Sequence, residues 1–303
     1  MILNTGNRTD IPAFYSEWFM NRIHEGFVMV RNPYYPTQII KYSLDPKVID
    51  CLIFCTKNPT PMIEHLNELN DFNQLWFVTI TPYASDIEPN VINKYDVIEA
   101  TKQLSKHLGK NCVEWRYDPI FINERYTKEY HKRAFHKIAR ELSGYISEVV
   151  ISFIDLYPKT IKNFPEVKAV SKEDQEELSI EFSKIAQAYD FKMRTCLEDS
   201  SLSKYGINTN GCMTQDVIER AIGKSLKIKK NIQTRQGCKC LLGNDIGVYN
   251  TCGHLCKYCY ANFSKELVIK NMKNHNPMSP LLIGDIQKED IIKESKQESW
   301  LIE

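Results

Sequence analysis

The chain has 303 residues, of which 43% are hydrophobic and 25% charged, a composition that fits one large or two ordinary domains and argues against disorder. Its 39 basic and 38 acidic residues give a net charge of +1, so composition predicts no strong attraction to nucleic acid or anionic membranes. Neither a run of about 18 apolar residues nor a signal-peptide pattern is present, and we expect a cytoplasmic protein without a membrane partner.

Short apolar runs alternate with amphipathic segments along the chain. The candidate strands are 1–4, 27–30, 51–55, 75–81, 112–116, 149–154, 192–197 and, more weakly, 245–250. The candidate helices are 10–26, 61–71, 89–108, 127–143 and 171–189, and no clear helix is predicted between 34 and 48. Seven or eight strands with intervening helices predict an α/β fold with a parallel sheet, and at this length we expect a complete or nearly complete (βα) TIM-like barrel.

The expected domain boundary falls late in the chain. We expect residues 1–270 to form the barrel, including a cysteine-rich segment at 236–262. The remaining residues, 271–303, mix Lys, Glu and Gln with a few apolar residues, and we expect a C-terminal tail that packs on the barrel or frays.

Polar and charged residues directly follow most of the candidate strands. In a parallel barrel the carboxyl ends of the strands meet at one rim, where loops build the active site. The residues expected at this rim are Arg8, Asp10, Arg31, Lys57, Arg116, Asp118, Asp155, Tyr157 and Glu198. Polar turns alone would explain any single member, but Arg or Lys, which are not typical turn residues, recurs at four of these ends. The pattern predicts a site for a carboxylate, a phosphate or another anion.

The cysteines are the second feature that points to chemistry. Ten cysteines in a reducing compartment favour metal ligands over disulfides. Cys252, Cys256 and Cys259 form C-x3-C-x2-C within "NTCGHLCKYCYAN". Three thiolates complete a four-coordinate zinc site only with a fourth ligand from elsewhere, but they can bind three irons of a [4Fe-4S] cluster and leave the fourth iron open.

This motif resembles the signature of the radical SAM enzymes, including the aromatic Tyr258 before the last cysteine. The resemblance implies that the open iron binds S-adenosylmethionine (SAM), that an electron from the reduced cluster cleaves SAM to a 5′-deoxyadenosyl radical, and that a reductase such as flavodoxin or ferredoxin serves as partner. The stretch "CGHLCKYCYAN" is locally similar to the spore photoproduct lyase branch. Two features depart from the usual pattern: the motif follows the last candidate strand, and the Gly-Gly-Glu segment that holds the SAM amino group is absent.

A wider set of motifs resembles an uncharacterised bacterial family known only as a domain of unknown function. These motifs are "RTDIPAFY", "TKNP", "WRYDPI", "GC" and "DIGVYNTCGHLCKYCYAN", and they cover nearly the whole chain. This resemblance implies no substrate.

Within the radical SAM interpretation, the rim residues receive predicted roles. Cationic side chains are expected to hold the carboxylate of SAM or of a small anionic substrate, because guanidinium and ammonium groups match that charge. These cations are Arg8, Lys57 and Arg116. Asp10 and Asp118 are expected to orient the cations or bind a ribose hydroxyl, and Tyr157 to donate a hydrogen atom or a proton.

Four further cysteines make one complete ligand set. They are Cys196, Cys212, Cys238 and Cys240. We predict that they bind a second, auxiliary [4Fe-4S] cluster with all irons coordinated, and zinc in the same four positions is the alternative. The remaining cysteines, Cys51, Cys55 and Cys112, lie in apolar strands and are expected to be small buried hydrophobic residues.

Three other interpretations remain open. A zinc ribbon would pair Cys238 and Cys240 with Cys256 and Cys259, although such ribbons prefer C-x2-C twice. A lyase acting on damaged DNA would follow from the local similarity to spore photoproduct lyase, but the balanced charge argues against it, and the basic stretch 224–235 is expected to be a solvated helix face. A non-catalytic zinc or iron-sulfur protein is the third, and the converging ionisable groups favour an enzyme over it.

Overall fold

The computed structural model describes residues 1–228, 238–241 and 244–302. Its strands are β1 Ile2–Asn4, β2 Phe27–Arg31, β3 Gln38–Ser43, β4 Cys51–Thr56, β5 Gln74–Thr79, β6 Val113–Ile120, β7 Glu148–Phe153, β8 Lys192–Thr195, β9 Ile207–Asn208 and β10 Ile291–Glu294. Its α-helices are α1 Ile11–Phe14, α2 Ser16–Glu25, α3 Thr60–Ile63, α4 Lys94–Leu108, α5 Lys128–Leu142, α6 Pro158–Asn163, α7 Lys172–Ala188, α8 Gln215–Ile222 and α9 Lys265–Lys273. None of the described helices is long and apolar enough to cross a membrane.

Two predicted sequence features fall partly outside the described residues. Most of the basic stretch 224–235 and part of the cysteine-rich segment 236–262 lie there.

The helix boundaries follow local capping signals where the sequence predicted them. Thr127 accepts a hydrogen bond from Tyr130 N at the start of α5, and Ser171 accepts one from Asp174 N at the start of α7. Gly26 ends α2 in the left-handed conformation at φ 76°. The predicted helices at 127–143 and 171–189 are therefore confirmed.

Three other predicted helices are shorter or divided. The segment 10–26 forms two helices that meet at Tyr15. The segment 61–71 contains only α3 and a 3-10 turn at Leu66–Leu69. The segment 89–108 becomes helical only at Lys94, where the Asn93 side chain caps α4.

Seven parallel strands form the main sheet in the order β1-β4-β5-β6-β7-β8-β9. On the free side of β1, Asn4 forms a parallel bridge with Asp245. Asn4 N donates to Asn244 O at 2.8 Å, and Ile246 N donates to Asn4 O at 3.0 Å. The α/β class and the parallel sheet are thus confirmed, whereas within the described residues the sheet does not close into a barrel.

The prediction that 27–30 belongs to the parallel sheet is wrong. This segment is the strand β2, but it pairs antiparallel with β3. Strand β3 lies in the segment 34–48, where no clear helix is predicted. Strand β10 pairs with β3 and completes a separate sheet of three strands. The short connection 32–37 permits a hairpin, whereas a parallel partner requires a long crossover. Arg31 is consequently not a rim residue, and its Nη2 donates to Asp290 Oδ2 at 2.7 Å.

The two faces of the main sheet carry different cores because side chains alternate along each strand. The core on one face includes Leu52, Phe54, Trp76, Val78, Trp115, Val149 and Ile151. The opposite face is covered by α8 and by residues 238–241. Its core includes Cys51, Ile53, Leu75, Phe77, Val150, Val217 and Ile218.

The C-terminal tail packs against the rest of the chain. Strand β10 pairs with β3, Trp300 N donates to Asp50 Oδ2 at 2.9 Å, and Leu301 bridges Leu226. These contacts involve both sheets.

Candidate functional site

The cysteine loop begins beyond the carboxyl end of β1, directly after the bridge at Asp245. The loop closes on itself through Asn250 N, which donates to Ala261 O at 3.1 Å, and Asn262 Nδ2, which donates to Cys252 O at 2.9 Å. Ala261 N also donates to Cys259 Sγ at 3.3 Å. The loop is therefore a compact unit rather than an extended connection.

The thiols of this loop are held in their protonated form when no metal is bound. Burial raises the pKa of Cys252, Cys256 and Cys259, and the pKa of Cys256 reaches about 12 because the charge of Glu88 adds to the effect of burial. Cys259 also disfavours ionisation of Cys252 and Cys256, and Cys256 disfavours that of Cys252. Because thiolates bind metals, metal binding to this loop releases protons.

Asp10 connects the cysteine loop to the end of β4. Its Oδ2 accepts from Lys57 N at 2.7 Å and from His254 Nε2 at 2.8 Å, and its Oδ1 accepts from Ala13 N at 3.1 Å at the start of α1. His254 is buried and lies edge-on to Phe14, with ring centroids 4.6 Å apart. Asp10 thus fixes a histidine between two triad cysteines; its predicted role on a ribose hydroxyl stays a prediction.

Glu88 is a site residue that sequence reasoning missed. It is 2% exposed, and its Oε1 accepts from Lys57 Nζ at 2.8 Å and from Thr81 Oγ1 at 2.6 Å. Lys94 and the Tyr258 hydroxyl also donate to this carboxylate. Burial opposes ionisation of Glu88, but the attraction of the two lysines outweighs it and lowers the pKa of Glu88 to about 2. Glu88 therefore stays charged and anchors the aromatic residue of the cysteine motif.

No signal in the sequence reveals Glu88. A buried carboxylate needs cations nearby, but Lys57 lies 31 residues before it and Tyr258 lies 170 residues after it. Of the two lysines that pair with Glu88, only Lys94, six residues on, is close along the chain.

Each predicted rim cation already has a carboxylate partner. Lys57 pairs with Glu88, Arg8 Nε donates to Asp245 Oδ2 at 2.6 Å, and Arg116 forms an ion pair with Asp118. The predicted role of Asp118 in orienting a cation for a ligand stays a prediction. An anionic ligand at the rim would share these cations with the protein's own carboxylates.

The remaining rim residues lie near the last strands. Tyr157 Oη donates to Asp155 Oδ2 at 3.1 Å, and its ring centroid lies 6.0 Å from that of Tyr260 in the cysteine loop. Glu198 Oε1 accepts from Ser152 Oγ at 2.9 Å and from Phe153 N at 2.8 Å, and burial raises the pKa of Glu198 to about 7.

The second cysteine set is partly brought together on the face of the main sheet that is covered by α8 and residues 238–241. Cys212 Sγ lies 3.6 Å from Cys196 Sγ and 3.7 Å from Cys240 Sγ. Cys238 is buried two residues from Cys240 and contributes to its electrostatic environment. Over residues 1–228, 238–241 and 244–302, no three or more His, Cys, Asp and Glu side chains are already arranged around one metal position.

The other three cysteines only partly match the prediction. Cys51 is fully buried within β4, as expected, and Cys55 is half-buried in the same strand. Cys112 is half-buried at the end of a 3-10 turn, directly before β6 rather than within it.

The family model described as "Domain of unknown function (DUF1848)" matches residues 2–261. The chain belongs to this family. The match spans the main sheet and the cysteine loop, and confirms the resemblance to a family of unknown function. No curated protein matches the chain.

Proposed function

We propose that the protein is a radical SAM-type enzyme whose [4Fe-4S] cluster is bound by Cys252, Cys256 and Cys259. The observation that carries the proposal is the cysteine loop, which places C-x3-C-x2-C beyond the carboxyl end of β1 and anchors Tyr258 on Glu88. Parallel α/β sheets bind ligands at this edge.

The donor set of this loop fits an iron-sulfur cluster. Three thiols occupy one compact loop, and Ala261 N donates to Cys259 Sγ, a type of bond that stabilises a cluster-bound thiolate. Lys57 and Lys159 both favour the charged form of Cys259, so they offset the negative charge of bound thiolates. A reduced cluster with an open iron supplies the electron that cleaves SAM to methionine and a 5′-deoxyadenosyl radical.

The proposed barrel would extend the observed sheet. The bridge at Asp245 already adds an eighth parallel segment beside β1, and closure between this segment and β9 would complete a (βα) TIM-like barrel over residues 1–270, with 271–303 as its tail. In such a barrel the first and last strands are neighbours, so a motif after the last strand shares a rim with β1.

The proposed substrate is a small anionic molecule bound beside SAM at this edge. Arg116 and Arg8 supply guanidinium groups that match a carboxylate, Asp118 orients Arg116, and Tyr157 is exposed enough to donate a hydrogen atom or proton. The proposed electron donor is a cytoplasmic flavodoxin or ferredoxin.

The test uses full-length protein reconstituted anaerobically with iron and sulfide and reduced with dithionite. We expect an EPR signal of a reduced [4Fe-4S] cluster that shifts when SAM is added, together with formation of 5′-deoxyadenosine. Cys256→Ala should abolish both, whereas Cys112→Ala, which alters a half-buried cysteine outside both sets, should retain both.

The opposite results identify the competing functions. A cluster signal that SAM does not change, without 5′-deoxyadenosine, would refute the SAM chemistry and leave a non-catalytic iron-sulfur protein. Bound zinc in place of a cluster at the triad would refute the proposal altogether. Release of 5′-deoxyadenosine only in the presence of damaged DNA would favour the lyase.

A further inference from the structure

The second cysteine set has a spacing that distinguishes between a cluster and a single metal ion. Cys212 Sγ lies 3.6 Å from Cys196 Sγ and 3.7 Å from Cys240 Sγ. Two thiolates bound tetrahedrally to one zinc ion, at about 2.3 Å each, stand about 3.8 Å apart. Thiolates of a [4Fe-4S] cluster bind different irons and therefore stand farther apart. The two separations agree with a single ion, and the sulfurs would have to move apart to bind a cubane.

We propose that Cys196, Cys212, Cys238 and Cys240 bind one tetrahedral zinc ion and not an auxiliary iron-sulfur cluster. The metal-free arrangement supplies two edges of the sulfur tetrahedron, both at Cys212. Zinc binding completes the others by replacing the thiol protons and drawing in the sulfurs of Cys238 and the two outer cysteines. This site is separate from the triad and does not depend on radical chemistry.

The sulfurs of Cys212 and Cys240 each accept a hydrogen bond from a donor outside the cysteine set. Met213 N donates to Cys240 Sγ at 3.3 Å, and Arg116 Nη1 donates to Cys212 Sγ at 3.3 Å. Donors to ligand sulfurs orient them and stabilise their charge. A zinc ion with four thiolates carries a net charge of about −2, so a buried guanidinium beside one sulfur offsets part of it.

The backbone at Cys212 is shaped for a close approach of sulfur. Gly211 has a φ of +116°, and a Cβ at this position would lie 3.1 Å from Cys240 Sγ. Arg194 Nη1 donates to Gly211 O and to Thr214 Oγ1, both at 3.3 Å, so it fixes the loop on each side of Cys212. Leu241 N donates to Met213 O at 2.9 Å. Two chain segments are thus already joined where the ion would bind.

The expected consequence of zinc binding is structural. The ion would join the segment after β8, the loop at 211–214 and residues 238–241. These segments lie on the face of the main sheet that α8 also covers. Structural zinc sites with four thiolates contribute directly to the free energy of folding.

The test removes the triad so that the second set is measured alone. The full-length variant Cys252→Ser/Cys256→Ser/Cys259→Ser is purified anaerobically, and its zinc, iron and acid-labile sulfide are measured. We expect about one zinc per chain and no sulfide. Adding Cys212→Ser to this variant should abolish zinc binding, whereas adding Cys112→Ser should leave it unchanged.

A second measurement requires no change to the four proposed ligands. Cobalt(II) added to the metal-free triad variant should give tetrahedral absorption bands and thiolate charge-transfer bands whose intensity corresponds to four thiolates, and zinc should displace it. Iron and sulfide that depend on Cys212 would overturn the proposal in favour of an auxiliary cluster. Lack of a tetrahedral cobalt spectrum, or zinc that persists in Cys212→Ser, would also overturn it. Neither result would affect the test of the triad.

Discussion

Replacement of Glu88 by glutamine tests whether this carboxylate holds the site together. Burial opposes the ionisation of Glu88, but the attraction of Lys57 and Lys94 lowers its pKa to about 2, so Glu88 is the charged partner of both lysines at pH 7. Breaking a buried ion pair from one side costs about 3–5 kcal/mol. Glu88→Gln should therefore lower the free energy of unfolding by about 3 kcal/mol at pH 7, because Lys57 and Lys94 lose their buried counter-charge.

The assay is urea unfolding followed by tryptophan fluorescence, with the midpoint compared between variants. Glu68→Gln is the matched control, since Glu68 pairs with two histidines at the surface and its loss should barely move the midpoint. Lys94→Met added to Glu88→Gln should recover part of the loss by removing one unpaired cation. A midpoint for Glu88→Gln equal to that of the parent chain would refute the reasoning.

Three further predictions concern packing, capping and pH. Burial lowers the pKa of His131 to about 4, below its unfolded value of about 6.5. The contribution of neutral His131 to the free energy of unfolding is therefore complete above pH 6.5 and is lost as the pH falls towards 4. His131→Gln should reduce the decline of the urea midpoint between pH 7 and pH 5, and an unchanged decline would contradict this. Gly6→Ala should lower the midpoint at any pH, because its Cβ would lie 2.3 Å from Cys55 Cβ and 2.7 Å from Cys55 O; an unaltered midpoint would show that the backbone can move apart. Thr127→Ala removes the cap of α5 and should cost about 1 kcal/mol, whereas Thr127→Ser should restore most of it.

The parts of the fold that depend on local signals could be predicted from the sequence. The strands of the main sheet are short apolar runs separated by helices, and Thr127 and Ser171 carry the side chains that cap α5 and α7. Apolar runs of this kind indicate strands buried on both faces, which is how parallel sheets are built. Parallel order therefore followed from the alternation of strands and helices.

Strand partners were not predictable in the same way. The run at 27–30 resembles the strands of the main sheet, yet β3 follows after six residues and pairs with it instead. In β3 only Ile39 and Tyr42 are buried, and the half-exposed Ile40 and Lys41 stand between them, so its apolar pattern is weak. Continuous apolar runs therefore do not indicate the hairpin of β2 and β3.

The cysteines show how much of a site can be predicted from the spacing of residues along the sequence. The triad lies in one loop, so its spacing contains the information needed to recognise it. Cys196, Cys212 and Cys240 are far apart along the chain, and sequence predicted their grouping only by elimination. The sulfur separations in the structure add the geometry that the sequence lacks, and this geometry supports the zinc proposal.

The carboxyl edge of the main sheet divides into two halves with different partners. The triad loop contacts residues that follow β1, β4 and β5, namely Asp10, Lys57 and Glu88, and these strands are neighbours in the sheet. The second cysteine set instead includes Cys196, which follows β8, and Arg116 of β6 donates to its Cys212. Tyr260 of the triad loop donates to Asn7 O at 2.7 Å, and its ring centroid lies 6.0 Å from that of Tyr157. If the triad binds the proposed cluster, its substrate would lie near β1, β4 and β5, and Arg116 of β6 would approach it from the side of the second cysteine set.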